Sequence, residues 1–146
     1  MEVKSWVKDG IRYSLWSGPH YCGYCTFPKR ITKESGYGGI LTYVPVHGGI
    51  TFAEQSEDGM RYGFDCAHAG DDMDPKTWDE VWLVGQCELM ANGIIVAAQF
   101  EDEYLLAEGD VKKRADVLDR YHASLGASFD IRDNFGAMIN LLAGEL

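Results

Sequence analysis

The chain changes character at Pro75, and that change constrains its fold more than any other feature. Before it, short apolar runs rich in aromatic and β-branched residues are broken by Gly, Asp-Gly and Pro. After it, apolar residues recur at helical spacing. Ser5–Val7 and Ile11–Trp16 flank Asp9-Gly10, a dipeptide that favours a tight hairpin turn. Ser17–Lys33, which holds Gly18-Pro19 and Pro28, reads mostly as loop, and so does Thr32–Gly39. Ile40–Val46, Ile50–Ala53 and Met60–Ala67 read as strands. The last two should form an antiparallel hairpin with Ile50, Phe52, Tyr62 and Phe64 on one apolar side. His47, Thr51 and Asp65 would then share the other side.

Asp74-Pro75 suits a helix start, with Trp78, Val81, Trp82, Gly85 and Leu89 at helical spacing and Asn92-Gly93 as the stop. Ile94–Val96 suits a strand or a helix, and Ala97–Ala107 a helix. Asp110 is an N-cap for a helix over 110–125, and 128–143 carries a last apolar stripe of Ile131, Phe135, Met138 and Leu142. The expected fold is α+β: a small antiparallel β-rich core over about 1–70, followed by helices. Two parts are expected, an α+β core over 1–92 that carries the motifs and a helical extension over 93–146. Helices this short leave Phe135, Met138, Leu141 and Leu142 to be covered, so a homo-oligomer, most simply a dimer through 128–146, is expected.

Composition narrows the partners. Acidic residues outnumber basic ones 23 to 13, giving a net charge of -10, and no basic patch shows. Non-specific nucleic-acid binding and attachment to an anionic membrane both need clustered cations and are excluded on that ground. No run as apolar and as long as a membrane span is evident. The first ten residues carry charge where a signal peptide is apolar, so a cytoplasmic protein with free cysteines is expected.

Three of the four histidines and three of the four cysteines lie between residues 20 and 68. Cys22, Cys25, Cys66 and His68 have part of the spacing of a zinc site, and packed thiols are the competing reading. Cys66 as a nucleophile needs a base that the spacing does not identify. Phe64 on the same strand face argues that the thiol is buried and inert. Asp71, Asp72 and Asp74 suit a cation site or a solvated helix start. The remaining constellation is a ligand-binding one: His47, Gly48, Gly49, Thr51 and Asp65, with Tyr24 near in motif order. In this reading the glycines at 48, 49 and 63 leave room for a close approach. His47, Asp65, His68 and His20 are the candidates for acid–base chemistry. No cofactor and no resident metal is expected.

His20-x-Cys22-Gly23-Tyr24, Pro28, Val46-His47-Gly48-Gly49-Ile50-Thr51-Phe52 and Gly63-Phe64-Asp65-Cys66-Ala67-His68-Ala69-Gly70-Asp71 together resemble a family of small, mostly uncharacterised tailed-phage proteins. Cys25 stands where that family's pattern has an apolar residue, and residues 93–146 have no counterpart in its short members. The resemblance implies a phage origin and life in the cytoplasm of an infected bacterium, and small phage proteins of this size often counter host defence. The expected function is binding, and so sequestering, a nucleotide-derived small molecule such as a cyclic nucleotide or an ADP-ribose-type immune signal. Tyr24 and Phe52 would stack a base, and Lys29, Arg30 or Arg61 would offset the acidity. Two alternatives stand beside it: a phosphodiesterase-type hydrolase using His47, Asp65 and His68, and an acidic protein–protein inhibitor of a host enzyme.

Overall fold

The computed structural model describes residues 1–126. Five antiparallel strands form one sheet: β1 (Glu2–Lys8), β2 (Ile11–Trp16), β3 (Cys22–Phe27), β4 (Phe52–Ser56) and β5 (Gly59–Asp65), in the order β1-β2-β3-β5-β4. Two helices follow, α1 (Glu80–Leu106) and α2 (Val111–Ser124). The architecture is α+β with a β-rich front, as the sequence pattern requires. Asp9 and Gly10, with φ of 52° and 77°, make the tight turn between β1 and β2.

The sheet is covered on one side. Its inner face carries Ile11, Tyr13 and Leu15 from β2, Cys25 and Phe27 from β3, and Met60, Tyr62 and Phe64 from β5, all buried. Leu83, Cys87, Met90, Ile94 and Ala97 of α1, with Val117, Leu118 and Tyr121 of α2, complete the core. At Gly23, α1 packs closely against the sheet. A Cβ there would lie 2.4 Å from the Phe64 ring and 2.6 Å from Cys87 Sγ.

Several expectations fail for local reasons. Cys22–Phe27 is a central strand, not loop: Pro19 and Pro28 bracket it without entering it, and its residues alternate between half-buried and buried. Ile40–Val46 is not a strand. Gly39, at φ 58°, opens a 3₁₀ turn over Gly39–Tyr43, and Ile40, Leu41, Val44 and Val46 are all buried, a pattern without the alternation of a half-buried strand. The β4–β5 hairpin has a different register from the expected one. The two-residue turn Glu57-Asp58 pairs Ser56 with Gly59 and therefore Phe52 with Gly63, which puts Phe52 on the outer face, away from Tyr62 and Phe64.

Pro75 opens a 3₁₀ turn (Pro75–Trp78), and α1 starts only at Glu80, capped by the Asp79 carboxylate. Asn92-Gly93 does not stop α1. Gly93 is a packing residue, because a Cβ there would lie 2.7 Å from Val44 Cγ1, and its carbonyl accepts a 2.7 Å hydrogen bond from Tyr121 Oη. The expected boundary at 92/93 thus falls inside one continuous helix. Running 27 residues, α1 is long and apolar enough to span a membrane by length and composition, which the reading of a stop at Asn92-Gly93 concealed. Leu83, Cys87, Met90, Ile94 and Ala97 are buried in the core, which accounts for part of that apolarity, while Val81, Ile95, Leu105 and Leu106 are exposed. Asp110 caps α2 as expected. The expected last helix and the dimer interface over 128–146 lie outside the described residues.

Candidate functional site

Two irregular segments meet at the end of β5 and carry the densest polar network that the sequence pattern pointed toward. The first runs from Val46 to Thr51. His47 follows a buried valine, and its backbone N–H donates to Gln86 Oε1 of α1 at 2.9 Å. Gly48 and Gly49 then turn the chain at φ 70° and 79°, conformations that side chains with a Cβ resist. The second segment leaves β5 at Asp65 and runs through Cys66, His68 and Gly70 to Asp71.

Asp71 joins the two. Its Oδ1 lies 2.9 Å from His47 Nε2, and its Oδ2 accepts from the His68 backbone N–H at 3.0 Å and faces His68 Nδ1 at 3.1 Å. An ionised carboxylate has no proton to give, so both imidazoles donate to it. The Asp71 side chain is 8% exposed, that of His47 16% and that of His68 38%. Burial alone raises the Asp71 carboxyl, but hydrogen bonds from His47 and His68 outweigh it and hold the group below the usual carboxylate value. Thr77 Oγ1 donates to the Asp71 carbonyl at 2.5 Å, and the Trp82 ring meets His47 edge-on at 5.5 Å.

Beside this cluster, Asp65 accepts from Thr51 Oγ1 at 2.7 Å and from the Ala67 N–H at 3.0 Å, and it lies 3.7 Å from His68 Nδ1. On the adjoining outer face of the sheet, Tyr24 meets Phe52 edge-on at 5.5 Å, and the Arg61 guanidinium stacks 3.9 Å over the Tyr24 ring. Asp65 and Gly63 lie directly across from Cys22 and Tyr24, so the platform and the histidine cluster adjoin through Asp65.

The expected shared side of His47, Thr51 and Asp65 is only partly formed. Thr51 and Asp65 meet, but His47 sits before the glycine turn and bonds Asp71. The room expected beside the glycines is mostly taken by the protein itself. A Cβ on Gly48 would lie 2.2 Å from the His68 ring, and one on Gly63 would lie 2.6 Å from the Tyr24 ring, while Gly49 faces open space. His20 is not in the histidine cluster; it lines a recess on the outer face together with Trp16, Cys22, Tyr24 and Arg61. Arg61 supplies positive charge on the outer face, whereas Lys29 and Arg30 are exposed in the turn after β3.

The four-ligand zinc set does not assemble. Cys22 and Cys25 point to opposite faces of β3, and Cys25 is buried in the core. Cys66 is buried as expected, and burial with Asp71 and Asp65 nearby pushes its thiol up to about 12, which removes the nucleophile reading. Asp71 itself is buried and partnered, not one of a solvated acidic run. The local signal for it was the spacing His68-x-x-Asp71 after the sharp Gly70, at φ 87°. Gln86, Thr77 and Trp82 had no local signal, because tertiary packing alone brings them here.

No protein-family model matches the chain, and no curated protein and no solved structure is significantly similar to it.

Proposed function

We propose that the chain binds a small nucleotide-derived molecule where the outer sheet face meets the histidine cluster, and withdraws it from a host signalling system. The observation that carries this reading is the adjacency of two kinds of group. Tyr24, Phe52 and Arg61 offer stacking surfaces, and the half-exposed His68, held on the buried Asp71, offers a polar anchor at the end of the same face. The resemblance to small phage proteins supplies the setting, the cytoplasm of an infected bacterium; the ligand class, a cyclic nucleotide or an ADP-ribose-type signal, is inferred from that setting.

The hydrolase reading is favoured by one specific feature. His47 and His68 share one carboxylate with ring centroids 5.8 Å apart, and two imidazoles so held can serve as the base and the acid of phosphodiester cleavage. Asp71, and not Asp65, is then the residue that orients them. One experiment separates the readings. The protein is incubated with a panel of cyclic dinucleotides and cyclic ADP-riboses and then heat-denatured. Intact ligand released on heating supports sequestration, and altered ligand supports hydrolysis. A panel left unbound and unaltered refutes both.

A further inference from the structure

We infer that His47, His68 and Asp71 form a binding site for one divalent transition metal ion of the zinc class. The site differs from the cysteine set that the sequence spacing suggested. Two imidazole nitrogens and a carboxylate oxygen, from the two segments that meet at the end of β5, lie within 4.8 Å of one another. His47 Nε2 lies 2.9 Å from one carboxylate oxygen of Asp71 and His68 Nδ1 lies 3.1 Å from the other. Donors of a tetrahedral site with bonds of about 2.0–2.1 Å stand about 3.4 Å apart, so a metal needs these two hydrogen-bond contacts to widen slightly, within a cluster whose donors already lie within 4.8 Å of one another.

The donor chemistry selects the ion. Imidazole nitrogen suits zinc, iron, nickel and copper, whereas magnesium and calcium call for oxygen ligands. Each imidazole binds through the lone pair of the nitrogen that now points at Asp71, its proton moving to the other ring nitrogen. Three protein ligands leave coordination positions open, and the exposure of His68 places them toward solvent.

The surroundings fit a cation. Residues 71–80 hold Asp71, Asp72, Asp74, Asp79 and Glu80 against Lys76 alone, and the Asp65 carboxylate lies 3.7 Å from His68 Nδ1. The ligands are also held from behind. Gln86 accepts from the His47 backbone, Thr77 fixes the Asp71 carbonyl, and the missing Cβ of Gly48 admits the His68 ring. Such outer contacts fix the orientation of metal ligands in general. A bound dication also supplies the positive charge that a phosphate needs on this acidic protein. That consequence rests on the function proposed above, whereas the metal site rests on its own donors.

The test uses the full chain, reduced and stripped with a chelator, and titrated with Zn²⁺ by calorimetry and with Co²⁺ by absorption. One equivalent is expected to bind, with Co²⁺ bands of nitrogen and oxygen ligation and no thiolate charge-transfer band. His68→Ala is expected to weaken Zn²⁺ by more than about a hundredfold and Gln86→Ala by about tenfold, while Cys22→Ser leaves binding unchanged. In the unmutated protein, Zn²⁺ should shift the ring-nitrogen resonances of His47 and His68 but not those of His20 and His122, which keeps the test valid if a variant fails to fold. No binding at micromolar metal, a thiolate band, or unmoved His47 and His68 resonances each overturns the inference. A metal-bound protein that ignores the nucleotide panel overturns the proposed function and leaves the metal site standing. Nucleotide binding without metal affinity does the reverse.

Discussion

The two faces of β3 and β5 are built from alternate residues of the same strands and differ in almost every property. Inward, Cys25, Phe27, Met60, Tyr62 and Phe64 are closed over by helices. Outward, Cys22, Tyr24, Thr26, Arg61 and Asp65 stay partly open, with a cation stacked on an aromatic ring. Cys22 and Cys25 show the consequence most directly. Three residues apart, they stand in different media. A strand with period two divides its chemistry this way whenever one face is covered. The largest test of the division is therefore thiol reactivity. Reagent should modify Cys22 first in the native protein. Cys25, whose thiol burial holds well above its ordinary value, and Cys66 and Cys87, each pushed up to about 12, should react only as the chain unfolds. A gap of several orders of magnitude in rate is expected by mass-spectrometric mapping, because the thiolate is the reacting form. Native labelling of Cys25 at the rate of Cys22 would break the comparison at its root.

Glycines on the two faces give the next contrast. A Cβ on Gly23 meets the Phe64 ring and Cys87 Sγ inside a packed core, where neither can move far. A Cβ on Gly63 meets the half-buried Tyr24 ring on the outer face and lies 3.2 Å from the Gly23 carbonyl oxygen. Gly23→Ala should lose about 1–3 kcal/mol in urea unfolding, and Gly63→Ala clearly less. Equal losses would show that the outer face is packed as rigidly as the inner one.

The same division explains what the sequence disclosed. The β1–β2 hairpin was legible because Asp9-Gly10 is a local turn signal between alternating runs. Phe64 and Cys66 were legible as buried because period two carries one to the other. Strand β3 was not, because its flanking Pro and Gly outweighed a six-residue alternation. Gly93 read as a helix stop because its reason, contact with Val44 and Tyr121, is tertiary. The site was half legible. His47, His68, Thr51 and Asp65 stood out as residue types, but the partner of His47 depends on the two glycine turns and on a 3₁₀ turn that no short pattern specifies. Asp71 was therefore set among solvated acids, when it is the buried hub.

Two buried polar groups should give the protein a stepwise loss of stability in acid. Burial lowers His122, whose Nε2 donates to the Tyr43 carbonyl at 2.8 Å; that bond and Asp119 only partly oppose the shift. Its folded value lies below the ordinary 6.5, so the unfolded chain takes up the proton first. Its contribution is whole above about 6.5 and is lost as pH falls through the lower folded value. Asp71 is also lowered, from 3.8, so its contribution persists above that pH and disappears only as pH falls through its own folded value. Urea melts across pH should show the first decline removed by His122→Gln and the second by Asp71→Asn. At neutral pH, Asp71→Asn should cost about 1–3 kcal/mol, since His47 and His68 lose a charged acceptor. An unchanged profile in His122→Gln would show that the joint between α2 and the Gly39–Tyr43 turn does not sense pH.

The smallest expected effect concerns whether the outer face is organised at all. Arg61 lies on β5 across from Thr26 of β3 and Glu54 of β4, and its guanidinium is 3.9 Å from the Tyr24 ring centre and 5.8 Å from that of Phe52. A cation over an aromatic face at a partly exposed site contributes about 0.5–1 kcal/mol. Simple deletion of Arg61 would mix that contribution with lost strand packing, so a double-mutant cycle of Arg61→Ala with Tyr24→Leu is the proper measurement. A coupling of about 0.5–1 kcal/mol is expected, with Arg61→Lys retaining part of it because a point charge keeps the attraction but not the planar stacking. Such coupling would mean that the platform is held ready before any ligand arrives. A coupling indistinguishable from zero would mean that Tyr24 and Arg61 merely share a surface. The outer face would then offer a nucleobase no preformed stack, and the proposed ligand would have to be held by the His47–Asp71–His68 end alone.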